Sequence, residues 1–391
     1  MATSKENIAI VVSRFPYPLE KGDKLRIYHQ IRVLSEIYDV NLIAVSHKNI
    51  SDEAKKNLEK YCRSVSVYKL SKLATLWNLG LQLISQKPFQ VGYFFQRSIK
   101  NKIHREIRDL SPKHIYCQLI RSAEYVKTLY EFPKTLDYMD ALSKGMERRI
   151  GTENWVKNIF VKWESKKLKD YENSVFDYFD HHTIISNQDK DFIIHRDRAK
   201  IKVVPNGIDT SFFKNTNSSK AYEIGFVGNL SYPPNIQASS DIVKNILPRL
   251  TNQKIKVLIS GASPSKEVAK LEKLPEVKVT GWVDDIRDSY SLMKIFVAPL
   301  QIGTGLQNKL LEAMSMSIPC VTTTLVNNAL GGLDKENILI ADNFKEFSEK
   351  IELLLKDKKQ AQLIGENGRK FVLEKYDWKS STQPLISVLN Q

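Results

Sequence analysis

The chain has 391 residues, too many for one ordinary hydrophobic core, and this length fits two domains of roughly 150–200 residues each. Hydrophobic residues make up 42% and charged residues 26%, as in soluble globular proteins, and no apolar run reaches the roughly eighteen residues of a membrane-spanning helix. The three cysteines, Cys62, Cys117 and Cys320, lie far apart and are odd in number. They argue against a disulfide framework or a cysteine metal site and favour a cytoplasmic protein.

The formal net charge of +15 is unevenly distributed. Residues 1–205 hold 36 Lys and Arg against 24 Asp and Glu, whereas residues 206–391 hold 23 against 20. A basic half attracts anionic partners such as nucleic acid, an anionic membrane surface or an anionic glycan. Lysine-rich helix faces that serve solubility alone are the alternative explanation.

Short β-branched runs alternate with longer helical patterns, an order that predicts parallel sheets covered by helices on both faces. The first half has strand candidates at residues 8–12, 40–46, 64–70, 114–118, 135–139 and 183–186. Helices are predicted at residues 24–37 and 95–110, the second with an apolar residue every fourth position. The second half has strand candidates at residues 222–228, 255–260, 277–280, 295–299, 320–323 and 338–341.

A turn and a polar stretch separate the two series of strands. Pro205-Asn206-Gly207 is a turn signal, and the polar residues 214–220 follow it. The sequence therefore predicts two doubly wound α/β domains in tandem, with the boundary between residues 206 and 207. Open parallel sheets bind ligands at the carboxyl ends of their strands, so we expect an interdomain cleft at those ends.

The strongest functional signal lies in residues 295–321. A predicted strand runs into a loop that contains Gly303 and Gly305, and the loop opens a helix. Glycines let backbone N–H groups approach a diphosphate closely, and the N-terminus of a helix adds partial positive charge. Lys309 adds a full charge in the first turn. Glu312 lies about one turn further on, where a carboxylate can accept hydrogen bonds from ribose hydroxyls.

This segment resembles the donor-binding signature of family 4 glycosyltransferases, through Gly303-x-Gly305-x-x-x-Lys309-x-x-Glu312-Ala-Met followed by Ile318-Pro319. Other fragments that resemble the family stand in the expected order: Phe15-Pro16 to Arg26, Asp137-Tyr-Met-Asp140, Val203 to Asp209 with Phe212-Phe213, Ile224 to Asn229, Tyr232-x-Pro234-Asn235, Gly281-Trp-Val283-x-Asp285-Ile286 and Tyr376-x-Trp378. The similarity is greatest to sugar transferases of bacterial exopolysaccharide clusters. It implies the GT-B fold, with two Rossmann-like domains, residues 1–206 and 207–375, and a final helix, residues 376–391, that crosses back to the first domain.

The resemblance also implies a retaining transfer of a sugar from a nucleotide-diphosphate donor to a glycan or lipid-linked acceptor. The enzyme would act by positioning and by stabilising the leaving group rather than through a protein nucleophile. The residues it places at the donor are Gly22, Arg26, Gly228, Asn229, Trp282, Val283, Gly303, Thr304, Gly305, Leu306, Gln307, Lys309 and Glu312. Those expected at the acceptor are Asp23, Gln118, Arg121 and Asp140. Catalytic roles are expected for Asp140, Lys309 and Glu312.

The sequence departs from the family pattern in two places. Thr304 stands where a second glutamate usually touches the donor sugar, which leaves the identity of the sugar open. The turn at residues 228–235 lacks the Arg and Lys that usually hold the diphosphate. A diphosphate needs compensating charge when it leaves water, and we expect that charge from Lys309, from the amides of the glycine loop and from Lys24 or Arg26.

Asp140 stands where many family members carry a histidine close to the donor sugar. A carboxylate there can accept a proton or orient an acceptor hydroxyl. The alternative is an ordinary cap for the following helix.

Neither a metal nor another cofactor is expected, because the histidines are scattered and no carboxylate or cysteine stands at ligand spacing. Asp189-Lys-Asp191 falls in an apparent helix after Ser186, where acidic residues in a first turn are favourable. The alternative functions are a nucleotide-sugar 2-epimerase and a catalytically degenerate protein that binds a membrane or nucleic acid. Nucleic-acid binding is not expected, because no recognisable binding motif is present.

The apolar stretch at residues 73–84 precedes the basic helix pattern. Together they could rest on an anionic membrane at the inner face of the cell and present a lipid-linked acceptor. Burial of the apolar stretch in the core is the alternative, and the expectation for that stretch is burial.

Overall fold

The computed structural model describes residues 5–150, 155–214, 219–251, 254–301 and 306–391. Its contacts divide the chain into two compact units: Met1–Asn206 with Ser381–Gln391, called the first unit, and Gly207–Ser380, called the second unit. The final segment therefore joins the first unit at Ser381, five residues later than the sequence suggested. Asp377 still belongs to the second unit, because it pairs with Ile208 and accepts a hydrogen bond from Thr210 Oγ1 (2.6 Å).

Within the described residues, the strands of the first unit form one parallel sheet in the order β3-β2-β1-β4-β5-β6-β7. They are β1 (Glu6–Val12), β2 (Tyr38–Ser46), β3 (Ser64–Lys69), β4 (His114–Gln118), β5 (Lys134–Asp137), β6 (His181–Ile184) and β7 (Lys202–Val203). Residues 8–12 of β1 are buried without alternation, as expected for a strand covered on both faces.

The helices of the first unit are α1 (Gly22–Leu34), α2 (Asp52–Glu59), α3 (Lys72–Gln82), α4 (Phe89–Phe94), α5 (Arg97–Leu110), α6 (Ile120–Ala123), α7 (Leu142–Glu147), α8 (Trp155–Phe176) and α9 (Asn187–Phe192). A single 3₁₀ turn, Arg198–Lys200, precedes β7. The fourfold spacing in α5 is confirmed as a core-facing stripe, since Ile99, Ile103 and Ile107 are all buried.

The expectation for residues 73–84 was wrong: the apolar side chains of α3 are exposed rather than buried. Leu73 and Trp77 are 80% and 73% exposed. The polar residues of the same helix face inward instead, with Thr75 and Gln82 buried. Thr75 Oγ1 accepts a hydrogen bond from the buried Gln96 Nε2 (3.2 Å), so this side of the helix has a partner inside the protein.

Within the described residues, the second unit has a parallel sheet in the order β10-β9-β8-β11-β12-β13. Its strands are β8 (Tyr222–Val227), β9 (Val257–Ser260), β10 (Val277–Val279), β11 (Met293–Ala298), β12 (Cys320–Thr322) and β13 (Leu339–Ile340). Its helices are α10 (Pro233–Asp241), α11 (Lys266–Ala269), α12 (Ile286–Ser291), α13 (Asn308–Ser315), α14 (Thr324–Leu330), α15 (Phe344–Lys356) and α16 (Lys358–Lys375). The last helix, α17 (Trp378–Leu389), begins in the second unit, and its residues from Ser381 onward belong to the first unit. A wider helical turn, Ile242–Ile246, continues α10, and 3₁₀ turns lie at Leu247–Arg249 and Lys270–Lys273.

The register of each sheet places the functional loops. In the first unit Val12 pairs with Gln118, and Gln118 pairs with Asp137, so β1, β4 and β5 end level with one another. Strand order reverses between β1 and β4 there, and between β8 and β11 in the second unit. Loops that leave in opposite directions at such a point open a crevice for ligands. None of the helices in the described ranges is both long and apolar enough to cross a bilayer.

Candidate active site

A cleft of about 390 Å³ opens in the second unit beyond β8 and β9. It brings together four residues that the sequence placed at the donor, namely Gly228, Asn229, Trp282 and Val283. Phe212 also lines it. Trp282 is 77% exposed and Phe212 is 43% exposed, so two aromatic rings line the cleft with open faces. Such faces can stack on a planar base.

Arg287 holds the Phe212 ring in place. The guanidinium of Arg287 lies 3.9 Å from the ring centroid, and its Nη1 donates to the carbonyl oxygen of Phe212 (3.2 Å). Asp285 holds the same guanidinium through an ion pair. This support orients an aromatic side chain that would otherwise be free to rotate in solvent.

Two glycines make the floor of the cleft and allow two loops to approach closely. Gly261 has a φ of +142°, and a Cβ there would stand 1.8 Å from the carbonyl oxygen of Gly228. A Cβ on Gly228 would stand 2.8 Å from the side-chain nitrogen of Asn235. The sequence analysis missed Gly261. A glycine directly after the apolar run of β9 was the signal that could have found it.

Asn235 connects the turn after β8 to the first turn of α13. Its Nδ2 donates to the carbonyl oxygen of Asn229 (2.8 Å), and its Oδ1 accepts from Lys309 Nζ (2.5 Å). Asn229 is fixed in turn, because its Oδ1 accepts from the backbone N–H of Ser231 (3.0 Å). A neutral amide thus occupies a turn that carries Arg and Lys in the family pattern, and it directs the Lys309 ammonium group to this turn.

Glu312 and Lys309 lie on the same side of α13 and are coupled to Tyr290. The Tyr290 hydroxyl, on a fully buried side chain, lies 2.8 Å from Glu312 Oε2 and 3.2 Å from the carbonyl oxygen of Lys309. Burial raises the pKa of Glu312, while the Tyr290 hydrogen bond and the Lys309 charge oppose that rise. Burial lowers the pKa of Lys309 to about 8, against the effect of Glu312. Tyr290 was not foreseen, because a tyrosine in a predicted helix reads as a core residue.

The glycine-loop residues Gly303, Thr304 and Gly305 lie outside the described residues. Leu306 is half-buried against the core of the second unit. Gln307 precedes α13, and its carbonyl oxygen accepts the Leu310 N–H (3.0 Å). The side chain of Gln307 does not cap the helix, and the first turn of α13, which contains Lys309, carries the partial positive charge of a helix N-terminus.

In the first unit, the start of α1 is tied to the end of β4. Gln118 is buried, and its Nε2 donates to the carbonyl oxygen of Asp23 (2.9 Å). The Asp23 carboxylate forms an ion pair with Arg14 (2.9 Å). Gly22 is exposed at the first position of α1. Gln118 and Asp23 therefore meet at one edge of the sheet, where the Gln118 side chain holds the backbone of Asp23 and leaves the Asp23 carboxylate to Arg14.

Arg121 and Asp140 lie at the same edge. Arg121 Nε donates to Gln90 Oε1 (3.2 Å), and its guanidinium lies 5.8 Å from the centroid of the Phe94 ring. Asp140 has an exposed surface, but the surrounding protein partly desolvates its carboxyl group. This desolvation, followed by the negative charge of Asp189, raises the pKa of the carboxyl to about 6, against the effect of Arg121. A carboxylate with a pKa near neutrality is suited to exchange protons at physiological pH.

The prediction that Arg26 binds the donor needs correction. Arg26 is fully buried, and its guanidinium contacts both carboxylate oxygens of Asp137 (2.8 and 3.3 Å) and Asn206 Oδ1 (2.9 Å). Asp137 also accepts from Thr183 Oγ1 (2.9 Å). Arg26 lies on the buried face of α1, together with Ile27 and Gln30, where it forms a structural ion pair. Lys24 stays partly exposed and lines a different cleft.

That cleft, of about 480 Å³, was not foreseen. It opens beyond β1 and β2 and is lined by cationic and aromatic side chains that include Arg14, Lys21, Lys24, Tyr17 and Tyr93. Its residues come from three separate segments, 13–24, 45–54 and 93–94, so no local motif in the sequence predicts it.

Two residues at the edge of the first sheet have strained backbones. Leu119, directly after β4, has a φ of 64°, and Met139, after β5, has a φ of 63°. A left-handed backbone conformation is energetically unfavourable for a branched or bulky residue. It persists where the surrounding structure imposes it, often at functional sites. Both positions flank the residues expected at the acceptor, Gln118 and Asp140.

Within the described ranges, no group of three His, Cys, Asp or Glu side chains stands together as metal ligands would. Asp189 lies in the first turn of α9, where its N–H donates to Ser186 Oγ (3.1 Å). This is the helix-start arrangement that the sequence predicted for the Asp189-Lys-Asp191 segment.

Comparison with known proteins gives matches along the chain. Residues 221–357, from β8 to the end of α15, match the family described as Glycosyl transferases group 1. The chain is 24% identical over 393 residues to an uncharacterised 44.6 kDa protein of the cps region of Klebsiella pneumoniae, covering 95% of this chain and 97% of that protein. It is 27% identical over 202 residues to the capsular polysaccharide biosynthesis glycosyltransferase CapM of Staphylococcus aureus, covering 49% and 51% of the two chains.

Solved structures share the fold over nearly the whole length. Sucrose-phosphate synthase from Thermosynechococcus elongatus matches with a TM-score of 0.64 at 13% identity, covering 99% of each chain. Anabaena HepE in complex with UDP matches with 0.64 at 14%, covering 98% of this chain and 99% of that chain. These matches confirm the GT-B fold expected from the sequence. A putative UDP-N-acetylglucosamine 2-epimerase from Listeria monocytogenes shares it with a TM-score of 0.54, so the fold alone does not select the reaction.

Proposed function

We propose that this chain, a GT-B protein whose second unit carries a group 1 glycosyl transferase domain, is a retaining family 4 glycosyltransferase of cell-surface polysaccharide synthesis. It would move a sugar from a nucleotide-diphosphate donor to a glycan or lipid-linked acceptor. The observation that carries the proposal is the connected set of Asn229, Asn235, Lys309, Glu312 and Tyr290 beside the aromatic cleft of the second unit.

The donor would bind along that set. Trp282, Val283 and Phe212 offer an open apolar place for the base, and Glu312 offers a carboxylate for the ribose hydroxyls. Lys309 and the partial positive charge at the N-terminus of α13 would compensate the negative charge of the diphosphate. Gly303, Thr304 and Gly305 complete the diphosphate loop by resemblance. With Arg26 in the interior, Lys24 takes its place in the proposal as the cation contributed by the first unit.

The transfer itself needs no protein nucleophile in this proposal. The bond between the anomeric carbon and the diphosphate oxygen breaks, and the acceptor oxygen forms a bond to the same face of that carbon. The acceptor proton passes to the departing diphosphate, and Lys309 with the α13 amides stabilises the charge that develops there. Asp140 orients the acceptor hydroxyl, and Asp23 and Arg121 complete the acceptor side.

The proposal includes the setting of the reaction. We place it in the cytoplasm at the inner face of the membrane, where Cys62, Cys117 and Cys320 would stay reduced, as the free and buried thiols of the structure allow. We also propose that the transfer proceeds without a metal ion, with Lys309 and helix amides in the role of a cation.

A thermal-shift panel tests the proposal. UDP, GDP, ADP and dTDP, with their sugars, are added with and without EDTA to the wild type, to Glu312→Ala and to Glu366→Ala, an exposed helical glutamate as matched control. One nucleotide family should stabilise the wild type and the control, unchanged by EDTA, and Glu312→Ala should lose most of that shift. UDP, present in the HepE structure, is the first probe.

Three outcomes would count against it. A flat panel would remove the donor site, and loss of the shift in EDTA would remove metal independence. A sugar product formed from the donor without any acceptor, detected by NMR, would point to an epimerase instead.

A further inference from the structure

Helix α3 of the first unit is arranged with its apolar side outward. Leu73, Leu76, Trp77 and Leu81 follow the helical i, i+3, i+4, i+8 pattern, and their side chains are 80%, 66%, 73% and 41% exposed. Beyond the helix, Leu83 and Ile84 are 67% and 87% exposed. Single exposed apolar residues are ordinary, but a contiguous stripe of this size marks an interaction surface.

The inward side of the same helix is polar and satisfied. Thr75 Oγ1 accepts from Gln96 Nε2 (3.2 Å), and Gln82 Nε2 donates to the carbonyl oxygen of Asn78 (3.0 Å). Asn78 Nδ2 in turn donates to the carbonyl oxygen of Phe95. The Gln82 bond lies within the helix, whereas the contacts with Gln96 and with the Phe95 carbonyl oxygen hold the helix in one rotation. A turn of half a revolution would bury the leucines but break both of these contacts, so the exposure of the stripe is built into the fold.

The middle of α8 reaches the C-terminal end of α3, and the first turns of α8 pack beside the start of α4. Lys167 Nζ donates to the carbonyl oxygens of Gln82 and Ser85 (2.6 Å each), and the Phe89 ring lies 5.3 Å from that of Phe160. The first two turns of α8 add further apolar side chains that are 45–75% exposed: Trp155, Val156, Ile159 and Phe160. We call α3 with residues 83–84 and 155–160 the apolar platform.

Basic residues accompany the platform along the chain. Residues 72–108 contain seven Lys and Arg against one acidic residue, Glu106. On α8, Lys162, Lys166 and Lys169 line a groove of about 440 Å³ together with Lys144 and two acidic residues, Glu147 and Asp191, so cations outnumber carboxylates there by four to two. An apolar stripe with tryptophan, flanked by lysines, matches the layered chemistry of a membrane whose surface is anionic.

We infer that the apolar platform docks the protein on a lipid bilayer with anionic headgroups, inserting the side chains of α3 and the first turns of α8 while the flanking lysines bind headgroup phosphates. The docking deepens the proposed setting at the inner face of the membrane by naming the surface that binds it, and its observations do not depend on the proposed transfer. Only its benefit, access to a lipid-linked acceptor, rests on the proposed transfer. The commitment to a bilayer rather than a second copy of the chain follows from charge, since a basic surface facing its own copy would be repelled.

Vesicle co-sedimentation of the full chain tests the inference. Wild type should bind vesicles of phosphatidylcholine with 30% phosphatidylglycerol and should bind pure phosphatidylcholine at least tenfold more weakly. Trp77→Glu with Ile84→Glu should lower binding at least tenfold. Lys162→Gln, Lys166→Gln and Lys169→Gln together should lower it on the order of 100-fold, since each basic residue at an anionic surface contributes about fivefold. Leu363→Glu, at an exposed leucine (57%) on α16 of the second unit, is the control and should bind as wild type does.

Two further measurements keep the outcomes distinct. Light scattering reports the oligomeric state, and a dimer that Trp77→Glu converts to a monomer would mean that a second copy covers the platform, which overturns the inference. Equal binding of all variants to the anionic vesicles would also overturn the inference. The nucleotide-induced thermal shift, measured on each variant, reports folding and the donor site separately, so loss of docking with an intact shift assigns the defect to the platform alone.

Discussion

Tyr290→Phe gives a direct test of the candidate donor site, because it removes one oxygen atom and keeps the ring. The Tyr290 hydroxyl lies 2.8 Å from Glu312 Oε2, on a side chain with no exposed surface. A hydrogen bond to a charged group contributes about 1.5–3 kcal/mol, and part of this would be lost from nucleotide binding when Glu312 is no longer held for the ribose. We expect the affinity for the stabilising nucleotide to fall about tenfold, which is ~1.4 kcal/mol.

Tyr376→Phe is the matched control in the same unit. Tyr376 is 3% exposed, and its hydroxyl donates to the carbonyl oxygen of Leu330 (2.6 Å), away from Glu312. Each variant loses one buried hydrogen bond and should lose about 1 kcal/mol of the free energy of unfolding. Stability should therefore fall in both, whereas nucleotide affinity should fall only in Tyr290→Phe.

Calorimetric titration with the nucleotide between pH 5 and pH 8 is the assay. The Tyr290 hydrogen bond lowers the pKa of Glu312 against the effect of burial. Its removal should raise that pKa further, so binding in Tyr290→Phe should be lost at a higher pH than in wild type as the pH falls. Equal affinity and an unchanged pH profile in the two proteins would refute the assignment of Glu312 to the ribose.

Three further predictions concern the same edges of the two sheets. Burial lowers the pKa of Lys309 to about 8, so the contribution of Lys309 to diphosphate affinity should be constant below pH 8, and the affinity should fall up to tenfold per pH unit above it. Lys309→Gln should bind weakly at every pH, and a fall in affinity above pH 8 that persists in this variant, measured by titration, would exclude Lys309 as its source. Gly261→Ala should lower the free energy of unfolding by about 3 kcal/mol and remove most nucleotide binding, because the new Cβ would collide with a backbone oxygen. In denaturant titrations the control Gly281→Ala, whose Cβ would have no atom within 4 Å, should change stability by less than about 0.5 kcal/mol. Asp140→Asn should lower kcat about 100-fold with little change in donor affinity and should abolish the loss of rate as the pH falls through about 6, the raised pKa of its carboxyl; a variant with wild-type kcat would remove its role.

The architecture was predictable because its main signal is local. Continuous apolar runs, as in residues 8–12 of β1 and in β9 (Val257–Ser260), have few alternatives to a strand buried on both faces, and the predicted runs became strands. The aromatic cleft was found in part for the same reason, since Gly228 and Trp282 sit in turns that punctuate these strands.

What failed depended on tertiary context. Arg26 was expected near the donor because it follows a glycine turn, but it pairs in the interior with Asp137, which is 111 residues away in the chain. The α3 leucines were expected in the core because apolar residues usually lie there, but the contacts of Thr75 with Gln96 and of Asn78 with the Phe95 carbonyl oxygen turn the polar side of the helix inward. Both errors come from distant hydrogen bonds, which composition and periodicity do not encode.

Arg26 with Asp137, and Lys309 with Glu312, show how a charge that stabilises the fold differs from a charge that is available to a ligand. Asp137 receives Arg26 at both oxygens and Thr183 at one, so its charge is satisfied before any ligand arrives. Lys309 has a neutral amide oxygen of Asn235 as its close partner, and burial shifts the pKa of both Lys309 and Glu312 toward their neutral forms. Groups held in this way gain most from a ligand that carries the missing charge and donors. A diphosphate at Lys309 and ribose hydroxyls at Glu312 would supply both, which is why the absence of Arg and Lys after β8 does not argue against a donor site.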